Sequence, residues 1–433
     1  MSSSLPEKRT ILETAREIEV FTEADVLIVG GGPGGVTAAI AAAREGANTL
    51  LVERYGHLGG MATGGLVLMI NQYPSGQCTE WFDRLRPFGG IRDLSKTAEP
   101  GPLKHSFMVN PELLKCVLND MSNEAGVRQL LHTLGTQAIV VDNHIQGIVV
   151  ECKSGRKAVL AKVIIDATGD GDVFAFAGAE YDGVIDHNLR NSQLALVFRI
   201  GNIDYDKFVD FRTSNPEKWQ EIRKEVDDIA GFHIGPVPGS RNDVIWVNSF
   251  IRGLNPLNVD DLTWVEINVR KAMIPIYEYY KKRIPGFENS FIYDSASQIG
   301  TRGSRRLVGE YVLTREDAKS NTIFNDTVAV FPKGVPLSMT EEQTPIDVGL
   351  PYRCLLPVSL DGLLVAGRCF SSDAVANTMF NIIPHCISMG QAAGTAAAIA
   401  VKNGVTPRKI NYQELQKRLI AQGVSLPRTA LNN

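Results

Sequence analysis

Residues 24–54 read ADVLIVGGGPGGVTAAIAAAREGANTLLVER and decide the fold of this chain. Residues 26–29 form a short apolar run, as in a buried β-strand, and an Ala-rich helical stretch and a second apolar run come later. The G-x-G-x-x-G positions directly after the first run are Gly30, Gly32 and Gly35. Such glycines permit a tight turn, let backbone approach a pyrophosphate and let a helix sit close on a strand. The stretch therefore predicts a strand, turn, helix and strand that bind an adenine dinucleotide.

An acidic residue, Glu53, ends the second strand of this unit. A carboxylate at that place accepts hydrogen bonds from the ribose hydroxyls of adenosine and repels a 2′-phosphate. NADP is therefore disfavoured at this site. A merely structural glycine turn would not require the strand, the helix and the terminal acid in this register, so we favour dinucleotide binding.

The composition excludes some classes of function. The chain has 433 residues, enough for two domains, and a formal net charge of −4, which offers no basic field for nucleic acid. Residues 1–13 lack the apolar stretch of a signal peptide, and the most apolar late segment, 386–401, is too short to span a bilayer. We therefore expect a cytoplasmic protein without a membrane span or a nucleic-acid partner.

The cysteines argue against metal and disulfide chemistry. They form no C-x-x-C pair and stand at Cys78, Cys116, Cys152, Cys354, Cys369 and Cys386. This spacing weakens the case for a redox disulfide, a zinc site or an iron–sulfur cluster. We expect scattered, reduced thiols, mostly buried, and no metal.

Two further segments look like parts of the same nucleotide site. Residues 163–166 form a strand that runs into the glycine- and aspartate-rich turn 167–172. Residues 362–366 form another strand, which ends at Gly367, and a long Ala- and Gly-rich helix follows from about 384 to 402. A proline near the first helical turn and Asn-Gly after the last one are the expected start and stop signals.

These segments carry a family resemblance. Together with the loop GGMAT at 59–63 and the segment IGTRGSRR at 299–306, they resemble the FAD-dependent oxidoreductases of the glutathione-reductase-like flavoprotein superfamily. The two motifs are similar to those of the bacterial FAD dependent oxidoreductase family, and the resemblance runs from about residue 20 to 405. It implies an α/β fold, in which a Rossmann-like FAD-binding domain carries an inserted, mixed α+β substrate cap domain.

The resemblance also predicts the domain organisation. The FAD-binding domain would be discontinuous, with a first part at 20–185 and a second part at 350–433. Residues 186–349 lie between the two parts and are richer in aromatic and charged residues. We expect this segment to form the substrate-binding cap over the flavin.

The resemblance assigns the adenosine and pyrophosphate contacts. The pyrophosphate would be wrapped by Gly30, Gly32, Pro33, Gly34 and Gly35. Glu53 would bind the ribose, and Arg54 would lie beside the adenine. The backbone of Ala138 would also meet the adenine, and Thr168 and Gly169 would close over the adenosine.

The flavin end of the cofactor is assigned in the same way. The ribityl chain and the isoalloxazine would pass near Gly59, Gly60, Met61 and Ala62. Further contacts to the ribitol and flavin would come from Gly367, Arg368 and Asp373. The chain departs from the family at Asn381, where an arginine usually stands three residues before the proline of the last helix. That departure puts one family-typical contact to substrate or flavin in doubt.

The candidates for substrate binding are three arginines in five positions, Arg302, Arg305 and Arg306. One or two of these guanidinium groups would bind an anionic or polar substrate above the flavin. The alternative is structural, with salt bridges to Glu310, to Glu316 or within the cap.

Two further residues are candidates for catalysis. His385 follows a proline at the start of the last helix, where its ring could face the flavin as a general base. The alternative is a packed histidine. Tyr352 and Arg353 precede the last FAD-binding strand and would either frame the pocket or pack the seam between the domains.

His57 raises the question of covalent attachment. Histidines near this loop in related flavoproteins can be joined to the flavin 8α position. Here the histidine stands only two residues before Gly59, a closer spacing than in the fumarate reductase-like proteins. We therefore expect non-covalent FAD and a loop histidine near the flavin edge.

The predicted activity is that of a dehydrogenase or oxidase. A polar small organic substrate would give a hydride to flavin N5, and the electrons would pass to oxygen, a quinone or a protein carrier. No second G-x-G-x-x-G indicates a built-in NAD(P)H site. Three alternatives stay open: a flavin-dependent monooxygenase, a flavoprotein subunit that passes electrons to a partner protein, and a binding protein that has lost flavin. A homo-oligomer is also left open.

Overall fold

The structure is a computed structural model that describes residues 10–70, 76–97, 99, 103, 106–331 and 347–427. The strands are β1 (Val20–Val29), β2 (Thr49–Val52), β3 (Ile91–Asp93), β4 (Phe107–Val109), β5 (Arg128–Leu130), β6 (Leu134–Val141), β7 (His144–Cys152), β8 (Gly155–Asp166), β9 (Tyr181–Asp182), β10 (Leu194–Ala195), β11 (Val197–Gly201), β12 (His233–Pro238), β13 (Val244–Phe250), β14 (Phe291–Ser295), β15 (Gly300–Thr301), β16 (Arg306–Leu307), β17 (Thr327–Phe331), β18 (Val348–Pro351) and β19 (Leu363–Val365). The helices are α1 (Pro33–Arg44), α2 (Gly76–Leu85), α3 (Pro111–Glu124), α4 (Asp172–Phe176), α5 (Tyr205–Ser214), α6 (Pro216–Ala230), α7 (Val259–Arg283), α8 (Arg315–Lys319), α9 (Ala374–Phe380), α10 (Ile383–Asn403) and α11 (Tyr412–Ala421).

The main sheet has a parallel core. Its strand order is β5-β2-β1-β8-β7-β6, and β19 pairs with the second half of β8. Strand β1 is parallel to both β2 and β8, whereas β7 is antiparallel to its two neighbours. The apolar runs of β1 and β2 are buried on both faces, as expected of parallel strands covered by helices. The predicted α/β fold with a Rossmann-like sheet is confirmed.

Four parallel strands end at the same edge of this sheet. In the registered pairs, Val29 of β1 lies beside Val52 of β2 and Asp166 of β8, and Val365 of β19 lies beside Asp166. Each of these strands is followed at once by a segment that the sequence marked as part of the nucleotide site. Ligands of open parallel sheets bind at this carboxyl edge, so the topology gathers the predicted segments in one place.

Helix α10 packs against α1 at close range. It begins at Ile383 and ends at Asn403, with Gly404 as its left-handed C-cap at φ 63°, which agrees with the predicted helix within one residue at each end. A Cβ atom at Gly394 would lie 2.1 Å from the carbonyl oxygen of Ala38 in α1. Every residue of α10 from Ile383 to Ala400 is buried. The small residues therefore serve a direct contact between two helix backbones.

A second sheet forms the additional domain. Its order is β12-β13-β11-β14, it is antiparallel, and α5, α6 and α7 belong to the same part of the chain. Phe208, Tyr280 and Phe287 are buried together in its own apolar core. The presence of a mixed α+β domain beside the Rossmann-like sheet is confirmed, while the exact limits 20–185, 186–349 and 350–433 stay a prediction.

Two features of the structure relate to what the composition predicts, namely the character of the helices and the burial of the cysteines. Across the described ranges, no helix combines the length and the apolar character needed to cross a bilayer. Buried thiols stand at Cys78, Cys354, Cys369 and Cys386, whereas Cys116 is exposed and Cys152 is half-buried.

Candidate cofactor and substrate site

The glycine turn after β1 is packed as tightly as its sequence predicts. Gly30 has φ +102°, a conformation that favours glycine, and a Cβ atom there would lie 2.5 Å from the carbonyl oxygen of Ala167. A Cβ atom at Gly35 would lie 1.7 Å from the carbonyl oxygen of Gly30, and one at Gly34 would lie 3.0 Å from that of Ala366. The amide of Gly30 also donates a hydrogen bond to the carbonyl oxygen of Val52 at 2.8 Å, so all four strand ends at the sheet edge meet at this turn.

Gly32 is the exception within the turn. A Cβ atom there would find no atom within 4 Å, so its backbone faces open space. Gly32 is also the N-cap of α1, and no side chain caps this helix. Amide groups at a helix N-terminus and the positive end of the helix dipole both favour an anion. An open cradle bounded by tightly packed glycines fits the pyrophosphate of a dinucleotide.

Glu53 is held rigidly at the end of β2. Its carboxylate is buried and accepts hydrogen bonds from the backbone amides of Gly31, at 2.5 Å, and Tyr55, at 2.8 Å. Two acceptor oxygens leave lone pairs for further donors such as ribose hydroxyls. The neighbouring Arg54 is exposed, and its guanidinium carbon lies 4.9 Å from the Tyr55 ring centroid.

The GGMAT loop lies directly against the glycine turn. The amide of Gly59 donates a hydrogen bond to the carbonyl oxygen of Gly31 at 2.8 Å, and a Cβ atom at Gly60 would lie 2.9 Å from the Cα atom of Gly32. Ala62 is buried, and Met61 is half-buried with its sulfur 3.9 Å from a Cβ atom built at Gly300. The loop thus connects the cradle with strand β15 at the second predicted motif.

The turn after β8 is joined to the end of β19 by a largely buried ion pair. Asp170 binds the guanidinium of Arg368 at 2.6 Å and accepts a hydrogen bond from the Ser304 hydroxyl at 2.6 Å. Burial would raise the pKa of Asp170, but the charge of Arg368 and these hydrogen bonds lower it. A Cβ atom at Gly169 would lie 3.0 Å from the Arg368 guanidinium. Three segments that are distant in sequence therefore meet at Asp170.

Thr168 is fixed by the last residue of β8. Its amide and its hydroxyl both donate hydrogen bonds to the carboxylate of Asp166, at 3.0 and 2.7 Å. The Thr168 hydroxyl in turn accepts a hydrogen bond from the amide of Asp172 at 2.9 Å. Burial raises the pKa of Asp166 to about 6. These bonds give the turn one conformation at the edge where the adenosine is predicted.

We expect Asp170→Asn to destabilise the protein by about 3 kcal/mol, because it leaves the buried Arg368 guanidinium without a counter-charge. The measurement is urea unfolding of the FAD-free protein, which keeps ligand binding out of the comparison. Asp243→Asn is the matched control, since Asp243 pairs with Arg241 on the surface. The free energy of unfolding of that variant should fall by less than about 1 kcal/mol. Equal losses in the two variants would contradict the structural role of the buried pair.

The three arginines of the second motif behave differently from one another. Arg305 pairs with Asp172 at 2.9 Å and also donates to the carbonyl oxygen of Asp170, and Arg306 pairs with Asp182 at 2.5 Å. These partners differ from those considered from the sequence, because Glu310 pairs with Arg408 and Glu316 with Lys319. The paired acids Asp172 and Asp182 lie 133 and 124 positions from their arginines, so no local signal in the sequence indicates them.

Arg302 stands apart from its two neighbours. Its guanidinium is half-buried and makes no hydrogen bond or ion pair to any other residue that the structure describes. Burial lowers its pKa to about 9, and the charge of Arg190 acts in the same direction. Its backbone oxygen accepts a hydrogen bond from the side-chain amide of Asn381 at 2.6 Å. Asn381, where the family usually has arginine, thus holds the backbone of Arg302.

His385 is packed within the protein. Its ring is fully buried, 4.3 Å from the Phe331 ring and 5.5 Å from the Phe380 ring, measured between centroids. Burial lowers its pKa to about 3, although a hydrogen bond with the backbone of Phe380 opposes this. The ring is therefore neutral at physiological pH. This environment matches the packed alternative and disfavours the general-base role.

Tyr352 and Arg353 also have structural contacts. The buried Tyr352 hydroxyl donates a hydrogen bond to the carbonyl oxygen of Pro407 at 2.9 Å, and Arg353 pairs with Asp326 at 3.0 Å. Burial raises the pKa of Tyr352 well above its usual range. These contacts match the alternative in which Tyr352 and Arg353 pack the seam between the domains, and not the one in which they frame the pocket.

The remaining predicted residues lie on three different elements. Gly367, at φ +109°, follows β19, and Asp373 caps α9 through a hydrogen bond from the amide of Ala376 at 2.7 Å. The other carboxylate oxygen of Asp373 accepts from the amide of Arg315, so backbone groups use both oxygens. Ala138 lies on β6, the edge strand of the main sheet, opposite Ile148 of β7.

His57 contacts the additional domain. Its Nε2 atom lies 3.2 Å from the hydroxyl oxygen of Ser297, between β14 and β15. Ser297 and Arg190 belong to no recognisable motif, so sequence reasoning missed both. The sequence places Asp170 in a glycine- and aspartate-rich turn, but only the structure shows that it pairs with Arg368.

Comparison with known proteins places the chain in a family. Residues 25–419 match the family model described as FAD dependent oxidoreductase. A thiamine thiazole synthase from Methanococcus vannielii is 32% identical over 170 residues, which cover 37% of this chain and 62% of that protein. A digeranylgeranylglycerophospholipid reductase from Methanocella arvoryzae is 27% identical over 160 residues, which cover 34% and 40%. The chain thus spans less than two thirds of these relatives.

A solved structure supports the fold. A geranylgeranyl bacteriochlorophyll reductase-like protein from Thermoplasma acidophilum superposes with a TM-score of 0.50 at 16% identity, covering 92% of this chain and 83% of that one. At this identity the likeness concerns the fold alone. The family match, in contrast, extends over nearly the whole sequence, as the resemblance read from the motifs does. The chain belongs to the FAD dependent oxidoreductase family and is an enzyme with FAD as its cofactor.

Proposed function

We propose that this enzyme is a dehydrogenase or oxidase that removes a hydride from a polar small organic substrate. The observation that carries the proposal is the open cradle at Gly32, which the GGMAT loop joins to the half-buried Arg302 region. When bound, FAD would supply the hydride acceptor and would pass the electrons to oxygen, a quinone or a protein carrier.

The chain's own residues would hold the cofactor in three places. Gly30, Gly32, Pro33, Gly34 and Gly35 would bind the pyrophosphate. Glu53, Arg54, Ala138, Thr168 and Gly169 would contact the adenosine. The flavin end would meet Gly59, Gly60, Met61, Ala62, Gly367 and Arg368, with Asp373 fixing the start of α9 nearby.

The protein's part in the reaction would be placement of the substrate and exclusion of water. Arg302 is the one predicted catalytic residue that stays a substrate ligand in this proposal, because Arg305, His385 and Tyr352 have buried or paired contacts of their own. We expect the reaction to depend on the cofactor's chemistry more than on a protein base.

The first test is the visible spectrum of the purified protein before and after acid precipitation, with the released cofactor identified by mass. We expect a yellow protein that releases FAD into the supernatant. Colour retained in the pellet would instead indicate covalent attachment, and His57→Ala would then have to release it. A colourless protein that takes up no added FAD would overturn the proposal.

The second test concerns the reaction class. A panel of polar organic substrates is mixed anaerobically with the flavin-loaded enzyme, and loss of flavin absorbance is recorded. Bleaching by a substrate without NAD(P)H is expected. Substrate-stimulated NAD(P)H consumption with oxygen incorporation would favour the monooxygenase alternative, and copurification with an iron–sulfur protein would favour the electron-transfer subunit.

A further inference from the structure

Arg190 and Arg302 are two half-buried arginines without an acidic partner. Neither side chain forms an ion pair or hydrogen bond within the described part of the chain. Other buried or half-buried arginines are paired: Arg306 with Asp182, Arg368 with Asp170 and Arg199 with Asp294. A buried cation is normally paired, because removing a charge from water costs free energy that only a counter-charge offsets. The two unpaired guanidinium groups therefore call for an explanation.

The backbone brings these two arginines together. Arg190 opens the short turn Arg190–Ser192, and Leu194 of β10, shortly after it, pairs with Thr301 of β15. The amide of Arg302 donates a hydrogen bond to the carbonyl oxygen of Gln193 at 3.2 Å. The charge of Arg190 lowers the pKa of Arg302, as a neighbouring cation does. Like charges are thus held near each other in a partly desolvated place.

The backbone beside Arg302 adjoins the loop that is predicted to meet the flavin. Gly300, two residues before Arg302, approaches the sulfur of Met61 in the GGMAT loop. On its other side, Arg302 is held by Asn381, which separates α9 from α10. The same loop contacts Gly32 through Gly60. The Arg302 segment, to which the turn of Arg190 is hydrogen-bonded, therefore lies next to the loop that adjoins the cradle.

We propose that Arg190 and Arg302 together bind the oxyanion group, a carboxylate or a phosphate, of an anionic substrate. The proposal rests on the proposed function and narrows it from polar molecules to organic anions. Two guanidinium forks offer several parallel N–H donors to such a group, and an anion between them would restore the missing counter-charge. The oxidised carbon would lie on the part of the substrate that extends toward the flavin.

Anion binding is testable without turnover. Sodium malonate and sodium phosphate are titrated separately, at constant ionic strength, against FAD-free protein with thermal unfolding as the readout, and against flavin-loaded protein with the visible spectrum as the readout. At least one anion should raise the unfolding temperature saturably and perturb the flavin spectrum. If malonate produces these effects, the recognised group is a carboxylate, and if phosphate produces them, it is a phosphate.

The variants Arg190→Gln and Arg302→Gln locate the site. Each variant should lower the affinity for the anion that binds by about 10- to 100-fold, which is the effect of losing a charge-assisted hydrogen bond. Arg241→Gln is the matched control, because it removes one positive charge from an exposed arginine already paired with Asp243. It should change the affinity less than about twofold.

The outcomes separate this inference from the proposed function. If neither anion acts, or if Arg241→Gln weakens binding as much as the other two variants do, the cation pair is not an anion site. Flavin that stays bound and is bleached by substrates would in that case leave the proposed function standing. If no FAD is bound, the proposed function fails, while the thermal titration of the FAD-free protein still decides the anion site.

Discussion

Replacing Gly32 with leucine should abolish FAD retention while the protein still folds. A Cβ atom at Gly32 meets no atom within 4 Å, and its φ of −66° is accessible to any residue. The new side chain would therefore enter the open cradle without disturbing the protein, and would occupy the space that the pyrophosphate needs. We expect FAD affinity to fall at least about 100-fold, roughly 2.7 kcal/mol.

The measurement is the ratio of flavin to protein absorbance after purification and after dialysis against added FAD. Gly235→Leu is the matched control, since Gly235 in β12 of the additional domain is also an open glycine without positive φ. This variant should keep its flavin. A Gly32→Leu protein that stays as yellow as the unmodified enzyme would disprove the assignment of the pyrophosphate site. Circular dichroism checks that both variants are folded.

Replacing Gly394 with leucine should have the largest effect on stability. Helix α10 approaches α1 so closely at this position that even a Cβ atom would lie 2.1 Å from the carbonyl oxygen of Ala38. The contact involves backbone on both sides, so no flexible side chain can move away. Separating the helices would open the apolar core around them, at a cost above about 3 kcal/mol, which is a large part of a typical stability.

The expected result is insoluble protein or a lowered midpoint of urea unfolding. Lys402→Leu introduces the same side chain on the exposed surface of the same helix and should change the unfolding free energy by less than about 0.5 kcal/mol. A Gly394→Leu variant as stable as this control would show that the two helices can separate without cost.

Local signals account for what the sequence predicted well. The strand, glycine turn and helix at 24–44 lie next to one another, and Gly30, Gly34 and Gly35 answer a steric demand within that unit or against a strand end beside it, whereas Gly32 leaves the cradle open. The rule that parallel strands end at one edge then brings 167–172 and Gly367 to the same place. The long helix was readable because its proline and its Asn-Gly end are both local signals.

The unpredicted parts depend on distant partners. Asp170 and Arg368 are 198 positions apart, and nothing near either residue indicates the pairing. His385 is enclosed by Phe331 of β17 and Phe380 of α9, so its burial follows from tertiary packing and its sequence context left two alternatives. Arg190 carries no motif at all. Its significance comes from the absence of a carboxylate around it in the described structure, which no sequence pattern encodes.

The contact between α1 and α10 also constrains how the chain is made. The hydroxyl of Thr37 in α1 donates a hydrogen bond to the carbonyl oxygen of Ile387 in α10, across 350 positions of sequence. At about 5 to 20 residues per second, a ribosome needs roughly 20 to 70 s to synthesise the segment between Thr37 and Ile387. During that time the first βαβ unit exposes the apolar face that α10 later covers. Helix α1, whose N-terminus borders the cradle, is therefore synthesised well before the helix that covers it.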